Sequence, residues 1–432
     1  MTIASSNFTV IRYGEYADPT TAAAPVILRE LHMTGESLGY QTQSISSSNI
    51  NSSRQVLDTI KTGYDVSGGL QIEVAPGIYD DLIEGALWAD WGYAFEQTDM
   101  VISIDKATST VTTALTMFDA ATDQLTADTL KVGQFFQLSV GSTTPIHITN
   151  VGVYQIKSVT SGTVAICEEV DGATCFGETE ATKTACLRAC MIRAPRDGSS
   201  TYMKRHKYYF EKEQSDLTNI FTKFTECYVN TFSVSAQSAA LLTGSFDFMG
   251  ALSTIDATSQ GSTLNTAHTF NGFNAVDHVV SVILNDKELM DETTGAYLQG
   301  VDFSVTNNLR GAKAIGHLGN VDTLAGQLGI TGSLNVFFEG TDFYTLFVND
   351  TEFSLSIRVE NTNADDELEG YVYHFPRIVI SSDSMSSGGN DQDLVESMQF
   401  SALYDYTLGT SIQIDRLYGD YSNFGITATT VT

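Results

Sequence analysis

Gly35-Glu-Ser37-Leu-Gly39 has the G-x-S-x-G spacing of a nucleophile elbow, in which a serine on a sharp strand-to-helix turn attacks an acyl carbon. That chemistry needs a helix directly after the serine. Here the chain continues YQTQSISSSNINSS, which reads as loop, so the spacing carries no catalytic serine. The seven histidines form no H-E-x-x-H pair. His206 lies in MKRHKYY, the one strongly basic stretch, and reads as an exposed or interface strand rather than a nucleic-acid site. NADDELEG (363–370) and GGNDQD (388–393) carry carboxylates at calcium-like density. Neither follows the D-x-[DN]-x-[DN]-G loop, and both read as solvated hairpin tips. Tyr79-Asp-Asp-Leu82 places two carboxylates at a helix start, where the macrodipole suffices to account for them. GQLGITG (326–332) has the wrong spacing for a phosphate loop. All five cysteines lie between Cys167 and Cys227 without zinc-ribbon spacing, so buried thiols or one local disulfide suit them better than metal. No catalytic, metal or cofactor residue is assigned, and the chain reads as non-enzymatic.

The elements around these residues are β-rich. Tyr, Phe, Thr, Val and Ser are plentiful and Pro is scarce in the 432 residues. No run of 18 apolar residues is present, and MTIASSNFTV has no secretory-signal pattern. Acidic side chains number 52 against 22 basic ones, a net charge of −30. That balance excludes a tight nucleic-acid grip, which requires cations to displace phosphate counterions. It suits solubility, a salty habitat, or a surface that passes a polyanion without holding it.

The chain also repeats itself. VLDTIKTGYDVSGGLQIEVAPGIYDDL (56–82) returns as VDTLAGQLGITGSLNVFFEGTDFYTL (321–346), with Asp58 matching Asp322 and Gly68 matching Gly332, an offset of 264. In the first copy Leu70, Ile72 and Val74 alternate with Gln71 and Glu73. In the second, Leu334, Val336 and Phe338 alternate with Asn335 and Phe337, so each is a strand with one buried face. A short helix follows each strand. Tyr79, Leu82 and Ile83 open the packing stripe of the first, and Phe343, Leu346 and Phe347 that of the second, which Asp342 can cap. SFDFMGAL (245–252) returns as SMQFSALYD (397–405) at an offset of 152. The offsets differ by 264 less 152, or 112 residues, so the first copy carries an insertion at about 96–201. The insertion reads as several short strands, a small β-barrel or β-sandwich on a connecting loop. A repeat this long is a domain duplication rather than a solenoid.

SSRQVLDTIKTGYDVSGGLQIEVAPGIYDDLIEGAL resembles the opening half of the tail tube proteins of long-tailed, non-contractile phages. FEKEQSDLTNIFTKFTECYVNTFSVSAQSAALLTGSFDFMG, VDFSVTNNLRGAKAIGHLG, GSLNVFFEG and FSALYDYTLGTSIQI resemble its later segments in the same order. The resemblance implies a mainly β fold: two tandem tail-tube-like β-barrel or sandwich domains, each with one flanking helix. The first would comprise 1–95 with 202–255 and the second 256–417. An inserted β-rich domain would lie at 96–201, on the outer surface, and a C-terminal arm at 418–432. It implies a structural virion subunit, assembled in the host bacterial cytoplasm, whose rings stack into a negatively charged conduit for DNA. Its partners would be itself in trimeric rings, a tape-measure protein, tail terminator and tip proteins, and viral DNA in transit, with no stable membrane insertion. Two matched loops, 35–53 and 307–320, would contact the adjacent ring. Gly35, Tyr40 and Asn51 are the candidates in the first, and Asn308, Arg310 and Lys313 in the second. An adhesin-like or carbohydrate-binding β-protein, with the insertion as its binding module, is the alternative. A glycan-cleaving tail enzyme is a third reading and requires two positioned carboxylates.

Overall fold

Alternation of apolar with small polar residues turns most of the chain into antiparallel strands. Among the described residues two α-helices accompany them, α1 (Asp80–Leu87) and α2 (Asp342–Val348). The computed structural model describes residues 6–18, 20, 23–50, 55–92, 95–120, 129–169, 176–200, 202–217, 220–265, 270–284, 287–290, 297–337, 342–362, 368–386 and 393–417. Phe338, Asn51, residues 418–432 and most of the two acidic hairpin tips lie outside them.

One sheet runs through both copies. Its order is Gly39–Ser46 with Gly35–Glu36, Thr59–Glu73, Thr243–Gly250, Phe221–Gln237, Leu298–Thr306, Gly329–Phe337, Val395–Ala402 and Leu368–Ser386. The last four strands repeat the first four in position and register. Gly68 faces Phe248, and Gly332 faces Phe400. Even the irregularity repeats. Register slips between Val229 and Thr231 in one copy and between Ile380 and Ser382 in the other. A bulge inserts one unpaired residue and bends its strand. Each long bulged strand accordingly serves two ladders, its early half pairing with Tyr208–Gln214 or Phe353–Thr362.

The inner face of this sheet is buried. Leu70, Ile72, Phe232, Phe246, Val305, Leu334 and Phe400 share one core with Tyr79, Leu82 and Ile83 of α1. Leu346 and Phe347 of α2 are half-buried against the same core, while the side chain of Phe343 is outside the described residues.

The insertion has a core of its own, between Phe95 and Ala189. Its strands close on themselves: Phe95–Asp105, Thr110–Thr113, Val164–Glu169, Gly152–Ser161, Phe135–Val140, Glu180–Arg193, and back to Phe95–Asp105. Of the two arrangements open to the sequence, the strands form a barrel. The end of Glu180–Arg193 leaves that barrel. Residues 190–193 pair with Gln413–Leu417, and Cys190 and Ile192 join the main core. Burial pushes the thiols of Cys190 and Cys227 well up, as expected for inert core cysteines.

Gln413–Leu417 is buried at all five positions, polar ones included. It lies between residues 190–193 and residues 370–374. Arg416 Nη1 meets the wholly buried Asp80 of α1 at 2.7 Å. Tyr371 Oη donates to Asp80 Oδ1 at 2.5 Å and accepts the Gly77 amide at 2.7 Å. On the insertion side, the Phe135 amide donates to Asp415 Oδ1 at 3.1 Å, and Gln413 Nε2 donates to Gly133 O at 2.9 Å. The macrodipole is therefore not a sufficient account of Asp80. Its charge bonds helix to strand across 336 residues of chain, from position 80 to position 416, a relation no local pattern encodes.

Removing one partner of a buried ion pair leaves the other uncompensated. Asp80→Ala should therefore lower the free energy of unfolding by about 3–5 kcal/mol, read from urea melts. A loss under about 1 kcal/mol would match an exposed pair instead. Burial also pushes the Asp415 carboxyl up to about 8, against the pull of Gln413, Arg193 and the Phe135 amide. An unfolded aspartate titrates near about 4. The native state then holds a proton that the unfolded state has released, so stability falls as pH rises from about 4 to about 8. Asp415→Asn should flatten that fall, checked by urea melts across the same window; an unaltered slope would contradict it.

Candidate functional site

The surface with a distinctive construction is the shared sheet: its solvent face, its in-chain junction and its two ends. The solvent face is lined by small polar side chains. One row crosses it through Thr243, Ser235, Asp302, Ser333, Gln399 and Ser382, each opposite the next in register. Ser233 and Ser245 bridge hydroxyl to hydroxyl at 2.8 Å, and Ser333 donates to Asp302. No Lys or Arg occurs in 35–43, 65–73, 228–237, 243–250, 298–306, 329–337, 379–386 or 395–402. Asp247 and Asp302 add charge of one sign.

The junction between copies is an antiparallel ladder. Thr231 faces Thr306, Phe232 faces Val305, Ser233 faces Ser304, and the pairing runs on to Gln237 and Gly300. Phe232 and Val305 are buried there, with Phe232 stacked on Phe246 at 4.8 Å. The two ends of the sheet are the counterparts of those two strands. Residues 381–386 occupy the place of 230–235, and 35–41 the place of 300–306. Among the described residues each end pairs on one side only. Such edges present unpaired amides and carbonyls to a further strand.

The first end is built around a close approach. Ser37 N donates to Gly69 O at 2.9 Å, and the Gly69 amide donates to Ser37 Oγ at 2.9 Å. Gly68, at φ +140°, lets this turn sit down; a Cβ there would lie 2.2 Å from Ser37 O. Ser37 is thus a strand-edge anchor. It precedes a strand, Gly39–Ser46, where the sequence reads as loop. Polar residues obscure that strand because both its faces meet solvent near the tip, with Ile45 and Ile60 exposed.

The loop candidates separate accordingly. Gly35 is a half-buried strand residue opposite Gln71. Tyr40 faces Val66, is 49% exposed, and meets Tyr64 edge-on. Asn308 sits at φ +48° with Nδ2 donating to Gln327 O at 2.8 Å. Arg310 is exposed, opposite Leu324 in a small ladder. Lys313 is engaged within the chain, 2.8 Å from Asp65 Oδ1 and 2.9 Å from Gln43 Oε1. The Tyr64 amide donates to Leu318 O at 2.8 Å. The second matched loop therefore leans on the hairpin of the first.

The basic stretch is not an exposed strand. His206 is buried, with Nδ1 2.7 Å from Glu15 Oε1 and 3.9 Å from Glu84 Oε2, and Nε2 3.3 Å from Asp90 Oδ1. Arg205 meets Asp322 at 2.6 Å and lies over the rings of Trp88 and Tyr228. The acidic surplus supplies Arg205, His206 and Lys207 with internal partners. Glu15, Glu84 and His206 bring ligand atoms within 4.8 Å of one another. Burial opposes charge on His206, but Asp90, Glu15 and Glu84 outweigh it and push the imidazole up to about 10. Glu15 and Asp90 hold the two ring nitrogens of His206 from either side, so the cluster is an ion-paired, hydrogen-bonded knot.

The profile of the phage tail tube protein family matches residues 7–402, and the chain belongs to that family. A search of curated proteins returned no match. The fold is the β-rich, barrel-containing fold of a tail tube protein, and the protein is a structural component of the virion tail that assembles with itself into a tube. Among the described residues no helix is long and apolar enough to cross a membrane.

Gly68→Ala should press the new methyl into the Ser37 carbonyl and strain φ, at a cost of about 1–3 kcal/mol. A lowered melting temperature, with faster amide exchange confined to residues 35–41, is the expected readout. Unaltered exchange there would show that the turn does not depend on this glycine.

Proposed function

We propose that each chain supplies two adjacent positions of a closed ring, so that three chains complete the ring and stacked rings form the tube. The observation that carries this reading is the in-chain junction. The chain already joins one copy to the other through residues 231–237 and 300–306, and it leaves the counterparts of those strands open at its two ends. A head-to-tail contact of this kind repeats until the rotation closes. The edge 381–386 of one chain then receives the edge 35–41 of the next. The shared register and the shared bulge support a duplicated domain, 1–95 with 202–255 and then 256–417. The barrel at 96–201 is a later addition facing outward.

The solvent face of the sheet becomes the lumen. Its small hydroxyls and carboxylates, without cations, let a polyanion slide past without the counterion release that drives binding. Eight strands per chain make twenty-four per ring, a backbone cylinder roughly 40–50 Å across at ordinary strand spacing and tilt. Six chains would double that. Such a tube would be assembled in the bacterial cytoplasm around a tape-measure protein, closed by terminator and tip proteins, and would deliver DNA from a non-contractile tail. Between rings, the exposed strand ends 42–46 and 59–62, and Arg310 beside Asn308, are the stacking contacts; Tyr40 lies in the lateral edge 35–41, and Asn51 lies outside the described residues. Lys313, Gly35 and the residues 418–432 are left out of that set, the first because Asp65 already occupies it.

The adhesin-like and glycan-cleaving readings gain no support from the arrangement of this sheet. Native mass spectrometry of rings, with averaged end views of tubes, is the test. Three chains and three outward barrels per ring are expected, and six chains per ring would overturn the reading. In the same images, Arg310→Glu should leave rings unstacked; normal tubes would remove Arg310 from the stacking surface.

A further inference from the structure

The two junctions of the proposed ring are not chemically alike. Within the chain, Phe232 and Val234 face Val305 and Phe303, and Gly244 lies beside them on the next strand. At the open end, the shared bulge puts Asp383 in the place of Phe232 and Met385 in the place of Val234. Glu396 takes the place of Gly244. Asp383 is opposite the buried Met398, so it points to the core side of the sheet. Glu396 is on that side too, 1% exposed, and opposite Val336.

Asp383 and Glu396 are within hydrogen-bonding reach of each other. Burial pushes the Glu396 carboxyl up to about 7, and the neighbouring Asp383 carboxylate adds to the rise. One oxygen of each, Oδ1 of Asp383 and Oε1 of Glu396, has no hydrogen-bond partner among the described residues. A buried unsatisfied oxygen costs about 1–3 kcal/mol, so it marks a place where a donor belongs.

The opposite end of the sheet carries such a donor. By register with Thr59–Glu73, Tyr40 holds the position that Val305 holds in the second copy. Its ring faces the core side, like Val66 opposite it, yet is half exposed because no strand lies beyond it. Leu38 likewise stands where Phe303 stands.

We propose that, where one chain meets the next, the Tyr40 hydroxyl of the incoming chain donates a hydrogen bond to the Asp383 and Glu396 carboxyl pair, with Asp383 Oδ1 the nearer acceptor. The partner is a second copy of this chain, and the inference rests on the reading of the ring given above. The occupant follows from continuity with the in-chain junction, whose register places Tyr40 opposite Asp383 and Leu38 opposite Met385. The two copies thereby acquire different tasks. The in-chain junction is apolar and forms once, during folding. The between-chain junction keeps a buried carboxyl pair that is complete only when the neighbour arrives. Carboxyls on the core side of an open edge also deter pairing with strands that bring no donor, as inward-pointing charges do at other sheet edges.

The test uses the full chain in three variants at one pH. Gly39→Cys with Ser384→Cys places thiols at positions that the register sets opposite each other, and oxidation should give covalent multimers up to a closed trimer. Tyr40→Phe removes one oxygen atom from a half-exposed ring. It should leave the melting temperature of the single chain in place. It should raise the concentration for half-maximal ring formation about tenfold or more, the usual weight of a bond to a buried charged acceptor. Asp383→Phe with Tyr40→Val and Glu396→Gly copies the in-chain residues and should restore assembly. If the cysteine pair cross-links and Tyr40→Phe assembles at the wild-type concentration, the hydroxyl contact is overturned while the ring stands. If no cross-link forms, the shared edge and the contact fall together.

Discussion

A β-strand has two sides, and each must find partners for its amides and carbonyls. Eight strands of this chain satisfy the requirement in one continuous ladder, and everything else is arranged around it. The bulges near Asn230 and Ser381 bend the long strands so that each serves the ladder and the second layer over the core. The core fills the space beneath, and α1 closes it. What the ladder cannot do alone is end. Its two outer strands stay half paired, and the ladder between residues 231–237 and 300–306 displays the manner in which they can be satisfied.

The insertion is woven into this arrangement more deeply than a decoration would be. Its last strand runs on to pair with Gln413–Leu417, which residues 370–374 flank on the other edge and whose Arg416 meets Asp80 of α1. Phe135 and Val153 of the insertion pack with Val372 and Leu417 of the second copy. His374, buried and held below its usual range at about 3, lies edge-on against Phe135. First copy, second copy and insertion therefore meet over one buried polar strand. Polar groups at such a place must be fully satisfied, because the low dielectric that strengthens each bond also raises the cost of leaving one unmade.

Much of the ladder was legible in the sequence because alternation and internal repetition are local or additive signals. Leu70, Ile72, Leu334 and Val336 announce their buried face by spacing alone. The offsets of 264 and 152 align Gly68 with Gly332 and Phe248 with Phe400 before any strand is placed. The difference between them is what reads residues 96–201 as an insertion. What stayed hidden depends on long-range partners. Gly39–Ser46 has too little apolar periodicity to be distinguished from loop. Asp80 looks like an ordinary first-turn acid until Arg416 reaches it. His206 and Arg205 look exposed because their carboxylates come from residues 15, 84, 90 and 322. Asp383 was within reach: aligning NTFSVS (230–235) with SSDSMS (381–386) shows an acid where the first copy has Phe232.

The central claim is that the open edges of one chain are satisfied by those of another in the manner already seen within it. Amide hydrogen exchange on single chains and on assembled tubes tests it directly. Residues 300–306 should be protected in both, since their partners lie in the same chain. The outward-facing amides of residues 37–41 and 382–385, those not bonded to the inner neighbouring strand, should exchange freely in the single chain and reach comparable protection in the tube. Fast exchange of both edges in intact tubes would contradict the account.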